Sequence, residues 1–288
     1  MRMEDIDFLT YALTDVFDTD DHEITEVFHE YSKLTPMTVA NISQRVQQIT
    51  HDVGLVRMMA RAWKNYPAAE KVLLDRQAKL GEISLSDAIL QRASLSTYAS
   101  SFQPEGVVTL KQLSAILQYS YGATRVMTAK TGDSIYLRAA ISAGSLYPLE
   151  IYPLVLNVPG LQAGLYHYFM PDHALHLVRS GDLLAELLAC SSYKELLQHA
   201  SVAFVITGVW KRTLVKYQQR GYRFLLNDAG ALLQNFYLTS TSFGLGCCAL
   251  GGFYDDQLAK LLQVNPLEEP VLIGFLLGEK PEHVYAKS

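Results

Sequence analysis

Four short segments hold residue types that could do chemistry, and their spacing narrows what that chemistry is. Arg92-Ala93-Ser94 sets a guanidinium and a hydroxyl two positions apart. Such a pair can grip a phosphate, the arginine by charge and forked donors and the serine by a neutral hydrogen bond. A solvated helix end would carry the same residues. Ser142-Ala143-Gly144-Ser145-Leu146-Tyr147-Pro148, preceded by Arg138, is built of small residues that let backbone approach a flat ligand. Gly144 can enter conformations closed to other residues, although a tight loop leading into a strand would read alike. Lys216-Tyr217-Gln218-Gln219-Arg220-Gly221-Tyr222-Arg223 concentrates cations and phenols that are costly to bury without partners. Lysine and tyrosine act as acid–base groups when their surroundings shift them. The plain alternative is an amphipathic helix start with a solvated basic face. Finally, Leu245 to Phe253 ends on the pair Gly251-Gly252 before Asp255 and Asp256. Paired glycines leave backbone N–H groups open to a ligand, and a turn between helices is the competing reading.

Other chemistries lack their signatures. There is no Gly-x-Gly-x-x-Gly between strand and helix, no Walker pattern and no Gly-x-Ser-x-Gly elbow. Cys190, Cys247 and Cys248 cannot build a disulfide framework, and the adjacent pair reads as small buried residues after a glycine turn. Histidines such as His22 and His29, or His167 and His173, miss the spacing of a helical metal site. No metal is expected.

The elements that position these segments are of mixed type. Residues 1–80 read as a helical extension, with Ile42, Val46, Ile49 and Val53 on one helical face and Leu55, Met58, Met59 and Trp63 continuing it. Asp20 and Asp21 are candidate caps for a helix starting near His22. Residues 81–288 read as the chemistry-bearing domain. Helices are expected over Ser84–Arg92, capped by Ser84, and over Leu110–Tyr119. Ile151–Asn157 is a strand candidate in which Pro153, lacking a ladder donor, predicts an edge position or a bulge. Leu165–Phe169 and Ala174–Val178 flank Pro171-Asp172-His173 as a hairpin. Ala203–Gly208 and Val271–Leu277 suit buried strands, and Leu225, Ala229, Leu232, Leu233 and Phe236 mark a long helix ending near Gly244. The class is α+β.

Composition excludes some partners. The 288 residues are 49% hydrophobic and 18% charged with a formal net charge of −5. That balance suits a globular core and gives no basic field for nucleic acid. No apolar stretch is long enough to span a bilayer, and the start MRMEDIDFLT lacks a signal-peptide pattern. The expected location is cytoplasmic.

Taken in order, these segments resemble the nitroreductase superfamily, and within it the SagB/ThcOx branch of azoline oxidases. The resemblance runs from Ser84 through Gly278. It is most specific at SAGSLYPLEIY (142–152), GLYHY (164–168), KYQQRGYRF (216–224), DAGALLQN (228–235) and GLG with GGFYDD (244–256). FHEYSK at 28–33 also looks like a short histidine-containing segment found early in that branch.

The resemblance implies a mostly antiparallel sheet flanked by helices, and a homodimer that binds FMN with residues from both subunits. It assigns Arg92 and Ser94 to the flavin phosphate and ribityl chain. Ser96 stands where many relatives have a cationic grip, so Arg223 and Lys280 become candidates to complete the neutralisation. Ser142, Ala143 and Gly144 correspond to the loop against the isoalloxazine, with Ile141 where a proline is commoner. Gly252, with Gly251 beside it, corresponds to the glycine whose N–H faces flavin N5. Lys216 and Tyr217 correspond to the pair that abstracts a proton when thiazolines or oxazolines become thiazoles or oxazoles. Neither is a good base at its ordinary pKa near 10. A buried lysine would be lowered by desolvation, and a tyrosine by a cation such as Arg220 or Arg223. The implied acceptor for the reduced flavin is oxygen. Implied substrates are azoline-bearing peptides, ribosomal or carrier-bound, with a cyclodehydratase as partner. Two other readings stand beside this one: an NAD(P)H-dependent nitroreductase or quinone reductase on the same fold, and a structural subunit whose flavin site has degenerated.

Overall fold

The computed structural model describes residues 22–95 and 101–281. The proposed caps Asp20 and Asp21, and Ser96, lie outside them. Contacts divide the chain into two compact units, Met1–Asn41 and Ile42–Ser288. The first holds α1 (His22–Tyr31) and the start of α2 (Pro36–His51). In the second, α2 is followed by α3 (Val53–Ala60), capped by the Asp52 carboxylate on the Leu55 N–H. Trp63 lies beyond its end, against Tyr136. Within the stretch expected to be helical, Lys71–Leu73 instead forms an edge strand, β1.

The remaining elements are α4 (Leu85–Gln91), α5 (Leu110–Tyr121), β2 (Ala123–Thr128), β3 (Ser134–Arg138), β4 (Leu149–Val155), β5 (Gly164–Phe169) and β6 (Ala174–Ser180). Then come α6 (Leu184–Ala189), α7 (Lys194–Gln198), β7 (Val202–Gly208), α8 (Lys211–Tyr217), α9 (Arg220–Ser242), β8 (Gly246–Leu250), α10 (Asp255–Leu262) and β9 (Val271–Gly278). Seven strands make one sheet in the order β1-β6-β5-β4-β7-β9-β8, every neighbouring pair antiparallel. Strands β2 and β3 form a separate hairpin. The hairpin read around Pro171 is present as β5–β6, closed by His173 in the left-handed region.

Alternation sends successive side chains of the central strands to opposite faces, and both faces are covered. Ile151, Phe204, Ile206 and Phe275 join Ile116, Leu225 and Phe236 in one core. Tyr152, Leu154, Val205 and Leu276 join Leu197 and Leu258 in the other. Phe236 from α9 stacks on Phe204 and Phe275 with ring centroids 4.9 and 5.2 Å apart. That stack seats the middle of the long helix on the sheet.

Pro153 corrects one expectation: β4 is central and wholly buried, between β5 and β7. Proline is tolerated there because pairing with β5 takes in only Leu154 and Val155. One flank of the strand is therefore unpaired at residue 153, and no ladder donor is demanded on that side.

Candidate functional site

The loop 142–147 is strained and tightly held. Gly144, Ser145 and Tyr147 all have positive φ, at 62, 55 and 43°. Such conformations cost about 1–3 kcal/mol for a residue with a Cβ and persist only where surroundings over-determine them. Here they do. The Ser142 hydroxyl donates to Asp228 Oδ2 at 2.5 Å and accepts the Tyr147 N–H at 2.9 Å. The Tyr147 hydroxyl accepts the Arg138 N–H at 3.0 Å, and its carbonyl accepts from Arg212 at 3.2 Å. The Arg138 guanidinium lies 4.6 Å from the ring centres of both Tyr121 and Tyr147.

Opposite the loop stands the Lys216–Tyr217 pair. A Cβ placed on Gly144 would lie 2.5 Å from Tyr217 Oη and 2.6 Å from Lys216 Nζ. The lysine ammonium and tyrosine hydroxyl therefore converge on one exposed point of backbone, where only glycine leaves room. The ammonium also sits 5.2 Å from the centre of the Tyr217 ring. Gln218, at φ 51°, breaks the chain between α8 and α9 directly after the pair. Gly221 lets the first turn of α9 pack on α8, since a Cβ there would come within 2.9 Å of the Thr213 carbonyl carbon. The cation that lies over the Tyr217 ring is Lys216, while Arg220 lies over Phe224.

Asp228, quoted only as part of a motif in the sequence, is the residue that ties the loop to α9. Burial pushes its carboxyl up to about 6, against hydrogen bonds from Ser142 and the Ala143 N–H that pull it down. On the other side, α8 is moored through Arg212, which meets buried Glu150 at 2.6 Å. Burial alone would raise the Glu150 carboxyl, but Arg212, then His167 at 2.7 Å and Arg138, outweigh it and bring it to about 2. The Lys64 N–H adds a hydrogen bond to Glu150, and Lys64 Nζ reaches Glu269, which also accepts from Tyr152 and Thr207. The legible signal for this network was one acid inside the apolar run Leu146–Val155: a charge that can be buried only with partners.

A second group gathers at the far end of α9. The Ser94 hydroxyl lies 2.9 Å from Tyr237 Oη, which also accepts the Ala249 N–H at 2.8 Å. The Arg92 guanidinium sits 5.2 Å from the Tyr237 ring centre. Burial holds the Tyr237 phenol above its ordinary value. Lys280 joins this end: with Ala93 and Cys247 it lines a small cavity of about 80 Å³. Burial pushes the Cys247 thiol up to about 12, with Arg92 and Lys280 among the groups drawing it back. All three cysteines are buried and free. Gly251 is exposed, with nothing within 4 Å of where its Cβ would be. Gly252 is held by Ser191, whose hydroxyl donates to its carbonyl at 2.7 Å, and a side chain there would run into Tyr193.

The predicted residues therefore form two groups. Asp228 and Tyr237, which anchor them, are nine positions apart in α9, about 14 Å of helical rise. Arg223 stays with the Lys216 end, about 21 Å of rise from Tyr237, and within one chain it does not reach Arg92. Lys280 does approach the Arg92 end.

An antiparallel sheet under a long central helix, with a glycine loop facing a basic pair, places the chain in a known class of oxidoreductase folds. Residues 89–278 match the nitroreductase family, and the chain belongs to it. MJ1384 of Methanocaldococcus jannaschii, assigned to the nitroreductases, is 33% identical over 192 residues, covering 67% of this chain and 89% of that one. The microcin B17-processing protein McbC of Escherichia coli is 30% identical over 143 residues, covering 48% of this chain and 53% of McbC. Among solved structures, an Anabaena variabilis protein assigned to the nitroreductases superposes with a TM-score of 0.68 at 25% identity, covering 92% of this chain and 48% of that one. This chain thus spans about half the length of McbC and of the Anabaena protein. The SagB-type resemblance stands with these findings. Among the described residues no helix is long and apolar enough to cross a membrane, and no cluster of His, Cys, Asp and Glu could hold a metal.

Proposed function

We propose that the chain is an FMN-dependent azoline dehydrogenase that aromatises thiazoline or oxazoline rings in a peptide. The observation that carries this reading is the convergence of Lys216 Nζ and Tyr217 Oη on Gly144. It puts the two candidate acid–base side chains beside a loop whose small residues suit a flat ring system.

The residues present fit such a cofactor. Arg92 and Lys280 supply two cations and Ser94 a hydroxyl at one end, the donor set a phosphate takes. Open Gly251, next to Gly252, supplies backbone without side chains. Bound FMN supplies a two-electron acceptor. Aromatisation removes two electrons and two protons from adjacent ring carbons, so one proton leaves with the electron pair as hydride and the other needs a base. Lys216 or Tyr217 takes that second proton, and the strained loop 142–147 holds the pair and the ring's wall in register. Asp228 and Arg212 keep that loop between α9 and α8. Because the phosphate-type and base-type groups sit at opposite ends of α9, a complete site draws one group from each of two copies. Molecular oxygen is the final oxidant, and a cyclodehydratase supplies the azoline.

The name of McbC supports a peptide rather than a nicotinamide as reductant of the flavin. Purified protein, FMN-loaded and anaerobic, should bleach with an azoline peptide and not with NADPH; bleaching by NADPH alone would return the nitroreductase reading. Lys216→Ala and Tyr217→Phe should keep FMN and lose turnover by roughly 10²-fold or more. Unchanged turnover in both would sink the assignment of the base.

A further inference from the structure

Alongside α8, a cavity of about 570 Å³ opens between α8 and the α2–α3 pair. That is the size of a ligand pocket. Its walls are apolar: Ile49, Met58 and Met59 on one side, Leu146, Leu214 and Val215 on the other. Among the described residues, the charged side chains that line it are Arg45, Lys211 and Arg212, and none is acidic. The proposed reaction uses Arg212 and the loop at its edge to position the base, and leaves the space itself without a role.

The charge around it departs from that of the chain. The whole sequence has 24 Lys and Arg against 29 Asp and Glu. Residues 42–64, which supply one wall, carry four Lys or Arg and one acid; residues 209–223, which supply the other, carry five and none. Arg57, Arg61, Arg212, Lys211 and Lys64 are paired with Asp133, Glu150, Glu268 and Glu269. Arg45 is exposed at the cavity and enters no salt bridge among the described residues. Met58 is 71% exposed although apolar.

We infer that this cavity docks an acidic segment of the peptide substrate, anchored by apolar side chains and lying outside the ring that is oxidised. The inference rests on the peptide-processing reading above and names the kind of peptide. An apolar cavity that carries Arg45, with Lys211 and Arg212 already paired to Glu268 and Glu150, selects an apolar segment that bears an acidic residue. Nucleic acid would use the cations and leave the apolar walls empty. Methionine adapts its shape, so Met58 and Met59 admit more than one apolar anchor. Helix α8 connects the cavity to Lys216 and Tyr217. Val215 at the cavity wall adjoins Lys216, and the whole helix spans about 10 Å, so at most about three extended residues bridge the two. A segment held here keeps a nearby azoline within reach of the base, and it raises the effective concentration of the ring there.

The test uses the full-length, FMN-loaded protein and a fluorescein-labelled peptide of Leu, Phe, Glu and Gly that contains no azoline. Anisotropy should show binding that weakens with salt. Replacing Glu by Gln, or Leu and Phe by Ser, should weaken it by about tenfold or more. Met58→Glu and Arg45→Glu, both at exposed positions that the fold does not need, should do the same. Equal affinity for the Glu and Gln peptides, or wild-type affinity in Met58→Glu, would overturn the inference. Binding of a ring-free peptide involves no turnover. An enzyme that binds it but leaves azolines untouched would therefore overturn the proposed reaction and not this site.

Discussion

Gly144 shows how one residue can set the chemistry of its neighbours without taking part in it. Its φ of 62° is open to glycine at no cost, and its missing Cβ is the space that Lys216 Nζ and Tyr217 Oη share. Gly144→Ala adds strain of about 1 kcal/mol or more and drives a methyl into both polar atoms. The protein should still fold, because the loop's hydrogen bonds through Ser142 and Tyr147 do not involve residue 144. Turnover should fall by roughly tenfold or more, since a small misplacement of a base costs that much. A variant with wild-type turnover and an unchanged melting temperature would show that the pair does not depend on this contact.

At the scale of elements, the question is what keeps α8 in register with the loop. Glu150 in β4 is the hub, because it meets Arg212 of α8, His167 of β5 and the Lys64 backbone at once. Its carboxyl is depressed from the ordinary 4.5 to about 2. A depressed acid contributes stability that is fully present above the unfolded value and lost as pH falls through the folded one. Glu150→Gln should therefore cost about 2–4 kcal/mol near neutral pH, where it leaves the half-buried Arg212 without its charge partner. The difference from wild type should shrink between pH 4.5 and about 2, as the wild-type carboxylate is itself protonated. Thermal melts of both proteins across that range measure it, and a gap independent of pH would mean that the charge on Glu150 is not what stabilises the fold. Asp228 runs the other way, with a raised carboxyl, so its contribution weakens as pH rises from 3.8 to about 6.

For the whole molecule, the proposed reading takes the two groups that α9 holds apart as halves of sites shared between two copies. Exposed apolar residues beside each group make that reading testable. On α4, next to Arg92, Leu85, Ile89 and Leu90 are 70, 52 and 82% exposed, and Ile141, next to Ser142, is 71% exposed. Burying each such side chain is worth about 1.5–3 kcal/mol, enough for several together to hold two copies. Replacing Ile89 and Leu90 by aspartate should give a monomer in sedimentation and weaken FMN binding by about tenfold or more. Retention of flavin by a monomer would mean that one copy builds the whole site.

Much of this was legible in the sequence because it depends on local chemistry. Periodicity marked α9, a turn pattern marked the β5–β6 hairpin, and Ser84 and the buried cysteines behaved as their types suggest. The motif residues of the nitroreductase family stood in order along the chain. Other features depend on partners distant in sequence, and those only the fold supplies. Pro153 sits in a central strand because the pairing of β4 with β5 ends at Leu154. Lys71–Leu73 is a strand because β6 offers it an edge. Asp228 and Glu150 look ordinary as letters and become anchors only where Ser142, Arg212 and His167 converge on them. Sequence by itself determined which residues were available for chemistry. Tertiary structure decided which of them meet, because a contact between residue 144 and residues 216 and 217 exists only once the sheet has brought the ends of β4 and α8 together.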